Sequence, residues 1–258
     1  MPPTWERDLD FYLVLIDDKP ASIVLDLAAA GEVPLESHPV RLSVRVPLLR
    51  PREDGLRDPD ELDELSAVED LFTERLAAEI DAIFAGRVIH DGELTMYFYV
   101  PDEHRARLED LPSLTGPAPG DYEPAWGVSD DPGWECYLEF LTPDPYSHQT
   151  ILNRRLVKVF EDKGDQVDTP REIDHFAYFE SQDQAEEASV ALRTAGFEVD
   201  DLDPPDEDGE PWGLQFHRVD AVGGGRADEF CAEILDIVLP LEGDYDGWGA
   251  PMVQPEVN

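Results

Sequence analysis

Alternating apolar and polar positions along the first part of the chain predict an antiparallel sheet. The apolar runs 11–16 and 22–27 flank a polar turn, which is typical of a β-hairpin. Residues 41–49 alternate between apolar and polar side chains and predict a third strand with one buried face. A second hairpin is expected at 87–100, because the dipeptide Asp91-Gly92 suits a two-residue turn.

Two segments between and after these strands have helical spacing. Apolar residues recur every three or four positions over residues 60–84, which predicts the longest helix, with Gly86 as its C-terminal stop. The expected apolar stripe of this helix comprises Leu65, Val68, Phe72, Leu76, Ile80 and Ile83. A shorter helix is expected at 102–111, before a loop rich in proline and glycine.

The middle of the chain predicts one strand and one helix. Residues 134–140 alternate again, and a strand there would place Trp134, Cys136, Leu138 and Phe140 on one face. Asp144 precedes Pro145 and is expected to cap a helix that begins at the proline and ends at Gly164. The predicted apolar stripe of this helix comprises Leu152, Leu156, Val159 and Phe160.

The last third has the pattern of a small domain. A strand at 173–179 is followed by Ser181 and Gln184, whose spacing is typical of a capping box and predicts a helix. The remaining expected elements are strands at 197–199, 212–219 and 245–253, and a helix between the triple glycine 223–225 and Pro240. The order β-α-β-β-α-β predicts a ferredoxin-like fold, an antiparallel sheet with two helices on one face.

A polar stretch at 164–170 is the predicted domain boundary. We therefore expect two α+β domains, residues 1–164 and 165–258, each with an antiparallel sheet and helices on one face. The oligomeric state is left open by the sequence.

The net charge of the chain restricts the classes of function that we expect. The 258 residues include 60 acidic and 19 basic ones, and the formal net charge is −41. Residues 168–258 alone carry −20, so the last third is almost twice as acidic per residue as the rest. Direct binding to nucleic acid is not expected, because neutralising phosphates requires positive surface. No apolar run reaches the roughly 18 residues of a membrane helix, and the N-terminus lacks a signal-peptide pattern, so we expect a soluble, cytoplasmic protein.

Two interpretations of the acidity remain open. Acidic, lysine-poor surfaces are general in salt-adapted proteomes and would then carry no functional meaning. Alternatively, the acidic third binds a protein partner with a basic surface, since a field of one sign speeds association with the opposite sign.

Two resemblances cover nearly the whole chain. Residues from about 174 to 255 resemble the B-type regulator of ribonuclease E activity (RraB), through the strand-then-helix start, the exit Gly196-Phe197-Glu198-Val199, an acidic loop and the closing run Tyr245-Asp246-Gly247-Trp248-Gly249. Residues 1 to about 164 resemble the domain of unknown function 695. The features that carry this second resemblance are Trp5, Asp18-Lys19-Pro20-Ala21-Ser22, Asp54-Gly55-Leu56, Glu69-Asp70, Gly86-Arg87 and Tyr97-Phe98-Tyr99.

The RraB resemblance implies a regulator without catalytic residues of its own. Better-known members of that family bind ribonuclease E and lower its activity. This chain differs from the short regulators in its large N-terminal domain and in the absence of a long acidic tail after the motif. The resemblance implies no cofactor and assigns no partner-contact residue.

The motif and the acidic loop are the candidate partner-binding segments. Trp and Tyr often concentrate binding energy at interfaces, but glycines flanking a tryptophan also suit a bent strand whose ring covers the core. The loop 200–210 is dense in carboxylates, although the pair Pro204-Pro205 breaks the spacing of a calcium loop. The residues predicted to contact a partner are Tyr245, Asp246, Trp248, Asp200, Asp201, Asp203, Asp206, Glu207 and Asp208.

Catalytic motifs are not recognisable. The six histidines lack the short spacing of a zinc site, and the two cysteines, Cys136 and Cys231, have no obvious basic neighbour in sequence. We therefore expect a protein without catalytic or metal-binding residues. The alternative is an enzyme or small-ligand-binding protein with a carboxylate-lined site in the N-terminal domain, using acids such as Glu69 and Asp70.

Overall fold

The computed structural model describes residues 5–205 and 211–254. The chain forms two compact units, residues 1–143 and 144–258. The second unit therefore begins before the boundary predicted at 164/165, because the helix that starts at Pro145 packs with the C-terminal elements. Each unit combines an antiparallel sheet with helices, which confirms the predicted α+β class.

A six-stranded antiparallel sheet forms the centre of the first unit. The strands are β1 (Leu9–Ile16), β2 (Lys19–Asp26), β3 (Val40–Pro47), β4 (Ile83–His90), β5 (Glu93–Val100) and β6 (Ala125–Asp130). They lie in the order β1-β2-β4-β5-β3-β6. Both predicted hairpins are confirmed, since β1 pairs with β2 and β4 pairs with β5. Asp91 and Gly92 have positive φ angles of 48° and 81° at the second turn, as such a turn requires.

The long helix α1 (Leu62–Ile80) packs its apolar stripe on one face of this sheet. The prediction of its C-terminus was wrong: Asp81 adopts a left-handed conformation and ends the helix, so Ile83 belongs to β4 rather than to the stripe. The predicted helix at 102–111 is a 3₁₀ helix at Asp102–Asp110 followed by the short α2 (Leu111–Thr115).

The segment after β6 also differs from the prediction. Residues Cys136–Leu141 form a π-helix and not a strand, and Trp134 has a positive φ of 56°. The carboxylate of Asp131 accepts the backbone N–H groups of Glu135 and Cys136 and so stabilises the start of this helix. Its burial pattern is therefore not alternating: Tyr137 is buried, whereas Leu138 and Phe140 are exposed.

The second unit has the predicted β-α-β-β-α-β order. Its elements are β7 (Arg171–Phe179), α4 (Gln182–Thr194), β8 (Glu198–Val199), β9 (Trp212–Asp220), α5 (Arg226–Val238) and β10 (Asp244–Gly249). The strands form one antiparallel sheet with the order β10-β7-β9-β8. The capping box is present, because Ser181 and Gln184 exchange side-chain and backbone hydrogen bonds at the start of α4.

A further helix, α3 (Pro145–Asp162), precedes this pattern and is capped by Asp144 as predicted. Half of its predicted apolar stripe is confirmed, since Phe160 is buried and Leu156 packs against the core. The other half was wrong, because Leu152 and Val159 are exposed. The residues that α3 buries are Gln149, Ile151, Asn153 and Phe160. Two of these four are polar, so a pattern of apolar residues alone could not identify the packed face.

A buried ion pair holds the stretch between α3 and β7. The Arg171 guanidinium donates to both carboxylate oxygens of Asp165 at 2.7 and 2.8 Å, and the two side chains are only 3% and 0% exposed. Arg171 also donates to the carbonyls of Thr169 and Pro251, and Asp165 accepts the backbone N–H of Val253. The predicted linker is therefore tied to β7 and to the residues after β10.

Candidate protein-binding site of the second unit

The motif Tyr245–Gly249 forms strand β10 at an edge of the four-stranded sheet. A β-bulge between Tyr245 and Gly247 disrupts the pairing with β7, and Gly247 has a φ of 116°, which favours glycine. Tyr245 and Trp248 are 8% and 9% exposed, whereas Asp246 is exposed. The structure thus favours the packing interpretation for the two rings and leaves Asp246 accessible to a partner.

Asn153 of α3 is the centre of a buried polar network behind the motif. Its side-chain oxygen accepts hydrogen bonds from Trp248 Nε1 at 2.8 Å, from Gln149 Nε2 at 2.9 Å and from Cys231 Sγ at 3.4 Å. Its side-chain nitrogen donates to Asp228 at 2.9 Å. One asparagine therefore joins α3, α5 and β10, and the indole of the motif is held in a fixed orientation.

A second pair of polar groups lies next to this network. His175 Nδ1 is 2.9 Å from the Tyr245 hydroxyl, and the imidazole is packed among Phe197, Phe216 and Phe230. Burial lowers the pKa of His175 to about 3, raises the pKa of Cys231 to about 12 and raises the pKa of Tyr245 above its ordinary value. These groups are therefore neutral near pH 7 and suit packing rather than acid–base chemistry.

Acidification is expected to destabilise the second unit through His175. An unfolded histidine gains a proton below a pKa near 6.5, whereas the folded side chain stays neutral down to about pH 3. The contribution of neutral His175 to the free energy of unfolding is therefore fully present above the unfolded pKa. It decreases as the pH falls, by about 2 kcal/mol at pH 5. Urea unfolding at pH 7 and pH 5 measures this loss. A His175→Phe variant should lose about 2 kcal/mol less than the native chain between these pH values, and equal losses would contradict the prediction.

The acidic loop lies partly within the described residues. Asp200, Asp201 and Asp203 are exposed, whereas Asp206, Glu207 and Asp208 lie outside the described residues. Residues 200 and 203 continue the sheet edge, because the Asp200 N–H donates to Gln215 and Asp203 exchanges two backbone hydrogen bonds with Gly213. Among residues 5–205 and 211–254, no group of three or more His, Cys, Asp or Glu side chains could hold a metal ion.

The two candidate carboxylates of the first unit, Glu69 and Asp70, have different surroundings. Glu69 lies 2.6 Å from Arg87 Nε, and burial raises its pKa although Arg87 opposes the shift. The neighbouring Asp70 is exposed. A cleft of about 570 Å³ opens beside α2, but its acidic lining residues are Asp121 and Glu123. Glu69 and Asp70 are thus separate from the cleft.

The residues that hold the motif have no recognisable pattern of apolar positions in the sequence. Asn153, Gln149 and Asp228 were not singled out, because a polar side chain on a helix is ordinarily interpreted as solvent-facing. The available signal was the spacing of four between Gln149 and Asn153, which places two amides on one helix face.

No helix in the described part of the chain has the length and apolar character needed to cross a membrane.

Comparisons with known proteins divide the chain at a similar place. The model of a family of unknown function (DUF695) matches residues 7–142, and the model of the family Regulator of ribonuclease activity B matches residues 150–250. A protein called Regulator of ribonuclease activity B from Shewanella denitrificans is 27% identical over 115 residues, which cover 43% of this chain and 87% of that protein.

A comparison with solved structures is less informative. The crystal structure of an unknown protein from Galdieria sulphuraria covers 83% of this chain and 98% of that chain, with 11% identity and a TM-score of 0.21. A TM-score this low supports no conclusion about the fold or the function of this chain. The matches to the family models span more of the sequence and include the closing motif. The chain therefore belongs to the family of unknown function DUF695, and its C-terminal part matches the family Regulator of ribonuclease activity B.

Proposed function

We propose that this chain is a non-catalytic, cytoplasmic regulator of ribonuclease activity that acts by binding a protein partner with a basic surface. The match of residues 150–250 to the family Regulator of ribonuclease activity B carries the proposal. The sequence similarity to the Shewanella denitrificans regulator covers most of that protein and supports the same assignment.

The charge of the second unit supports a basic partner. Asp200, Asp201, Asp203 and Asp246 are exposed, and residues 168–258 contain 24 acidic and 4 basic residues. A dense negative surface attracts positively charged protein segments over a distance set by ionic strength. An arginine-rich region of an RNA-degrading enzyme such as ribonuclease E has the complementary charge. In this proposal Tyr245 and Trp248 contribute by fixing the strand that presents Asp246.

A ribonuclease assay tests the proposal. The full chain is added to ribonuclease E and a labelled RNA, and the rate of cleavage is measured. We expect slower cleavage at an ionic strength of about 0.1 M, and at least about a tenfold weaker apparent affinity at about 0.5 M. Cleavage that the chain does not change, or inhibition that is indifferent to salt, would contradict the proposal.

A charge variant with a matched control identifies the surface. Replacing Asp200, Asp201, Asp203 and Asp246 together by asparagine is expected to weaken inhibition, because these carboxylates are exposed. The control replaces Glu161, Asp183, Glu186 and Glu187 by the corresponding amides and removes the same charge from α3 and α4. Equal effects of the two variants would indicate a dependence on net charge rather than on this surface.

A further inference from the structure

The outer face of the second unit's sheet carries two aromatic side chains. Ile173, Ala177 and Phe179 of β7 point into the core, and the alternate residues Phe176 and Tyr178 are 36% and 38% exposed. Helices α4 and α5 pack their buried side chains against the inner face of the same sheet. The two rings therefore lie on the face that these helices leave uncovered.

Glycines flank both rings. In the strand register Gly247 of β10 is opposite Phe176, and Gly213 of β9 is opposite Tyr178. A Cβ atom built on Gly247 or on Gly249 would meet no atom within 4 Å. Two glycines of the motif thus form an open strip beside Phe176, in which a side chain of another protein has room to lie.

Carboxylates surround this pair of rings. Asp174 is two residues before Phe176 on the same face of β7, and Asp244 is opposite Tyr178. A Cβ on Gly213 would lie 3.2 Å from the Cβ of Asp203, so this loop residue lies over the backbone next to Tyr178. Among the described strand residues of this face, the one basic side chain is His217, which lies 3.5 Å from Glu198.

We propose that this outer face is a platform for arginine side chains of a basic protein segment. It comprises Phe176 and Tyr178, the glycine strip Gly247 and Gly249, and the carboxylates Asp174, Asp203 and Asp244. The inference rests on the proposed function and specifies the partner chemistry of its acidic unit.

Arginine suits this combination of groups better than other residues. A guanidinium plane stacks on an aromatic ring while its N–H groups bind a carboxylate in a forked geometry, whereas a lysine ammonium is a more strongly hydrated point charge. A single-stranded nucleic acid would also stack on the rings, but its phosphates would face Asp174, Asp203 and Asp244. Charge complementarity therefore selects a cationic peptide.

Two labelled peptides test the platform against the full chain. One alternates arginine with alanine and the other alternates lysine with alanine, and fluorescence anisotropy measures the Kd of each. We expect the arginine peptide to bind more tightly. The double variant Phe176→Ala/Tyr178→Ala should weaken arginine binding about 5- to 30-fold, as expected for two stacking contacts, and should abolish the preference over lysine.

A variant that fills the glycine strip is a second test of the same face. Gly249 does not have a positive φ and has open space for a Cβ, so Gly249→Leu is compatible with the strand and fills the strip beside Phe176. It should weaken arginine binding without changing the far-UV circular dichroism. The control Val190→Ser removes a 64% exposed apolar side chain from α4 and should leave both Kd values unchanged.

The outcomes separate this inference from the proposed function. If the native chain slows the ribonuclease and Phe176→Ala/Tyr178→Ala does so equally, with an unchanged Kd for the arginine peptide, the platform is refuted and the proposed function stands. If the native chain does not affect the ribonuclease, the proposed function fails regardless of peptide binding. Equal affinity of the native chain for the arginine and lysine peptides would also overturn the platform.

Discussion

Replacing Arg171 with methionine is expected to lower the free energy of unfolding of the second unit by about 3–5 kcal/mol. Arg171 and Asp165 are nearly inaccessible to water, and the guanidinium makes two hydrogen bonds of 2.7 and 2.8 Å to the carboxylate. Removing the cation leaves a buried carboxylate that keeps one backbone donor, the N–H of Val253. An uncompensated buried charge is much more costly than the loss of an exposed one.

Amide hydrogen exchange measures the loss of stability in the second unit separately from the first. The chain has two compact units, so global unfolding need not follow a single transition. Amide exchange of the β9 residues 212–220 reports the opening of the second sheet directly. Arg171→Met should speed the exchange of these amides by at least about a hundredfold when they exchange through unfolding of the second unit.

An ion pair whose arginine is half-exposed provides the control. Arg226 lies 2.7 Å from Asp220 Oδ2, but its side chain is 44% exposed. Arg226→Met should therefore cost less than about 1 kcal/mol. Adding Asp165→Leu to Arg171→Met should restore part of the lost stability, because it removes the unpaired charge. If Arg171→Met costs no more than Arg226→Met, the buried pair does not hold the segment 164–170.

Replacing Asn153 with alanine is expected to destabilise the second unit by about 2–4 kcal/mol. Three donors lose their acceptor at once, namely Trp248 Nε1, Gln149 Nε2 and the thiol of Cys231. Asp228 loses the donor that lies 2.9 Å from its carboxylate. Buried donors without partners are costly, and the indole of the motif would also lose its fixed orientation.

The neighbouring residue on α3 is the control for this variant. Leu152 is 38% exposed, so Leu152→Ala should change stability by less than about 0.5 kcal/mol. The sequence pattern predicts the reverse order, because it places Leu152 in the packed stripe and gives Asn153 no role. Urea unfolding and β9 amide exchange of both variants show which of the two orders of destabilisation is correct. A larger loss for Leu152→Ala would refute the network as the support of the motif.

The two predictions bear on the same strand. Asn153 holds Trp248 of β10 from the helical side, and Arg171 binds the carbonyl of Pro251 just after β10. Either variant should therefore disturb the edge strand that presents Asp246, Gly247 and Gly249. Loss of ribonuclease inhibition in these variants would follow from misplaced β10 rather than from a missing contact residue.

Several elements could be predicted from the sequence because their signals are local. The hairpin turn Asp91-Gly92, the cap Asp144 and the capping box Ser181–Gln184 depend on backbone geometry and on hydrogen bonds between residues a few positions apart. The order of elements after residue 170 was also correct, since each strand or helix has its own period and stop signal. Composition likewise located the acidic excess in the last third.

Tertiary structure alone decided three other features. The side chain of Trp248 meets Asn153 across 95 residues, so neither the packed face of α3 nor the inward position of the motif's rings follows from local spacing. Residues 136–141 form a π-helix whose start is capped by Asp131 and whose Tyr137 OH donates to the carbonyl of Asp26. Alternation cannot reveal such partners, since it records which residues are apolar and not which distant groups they meet.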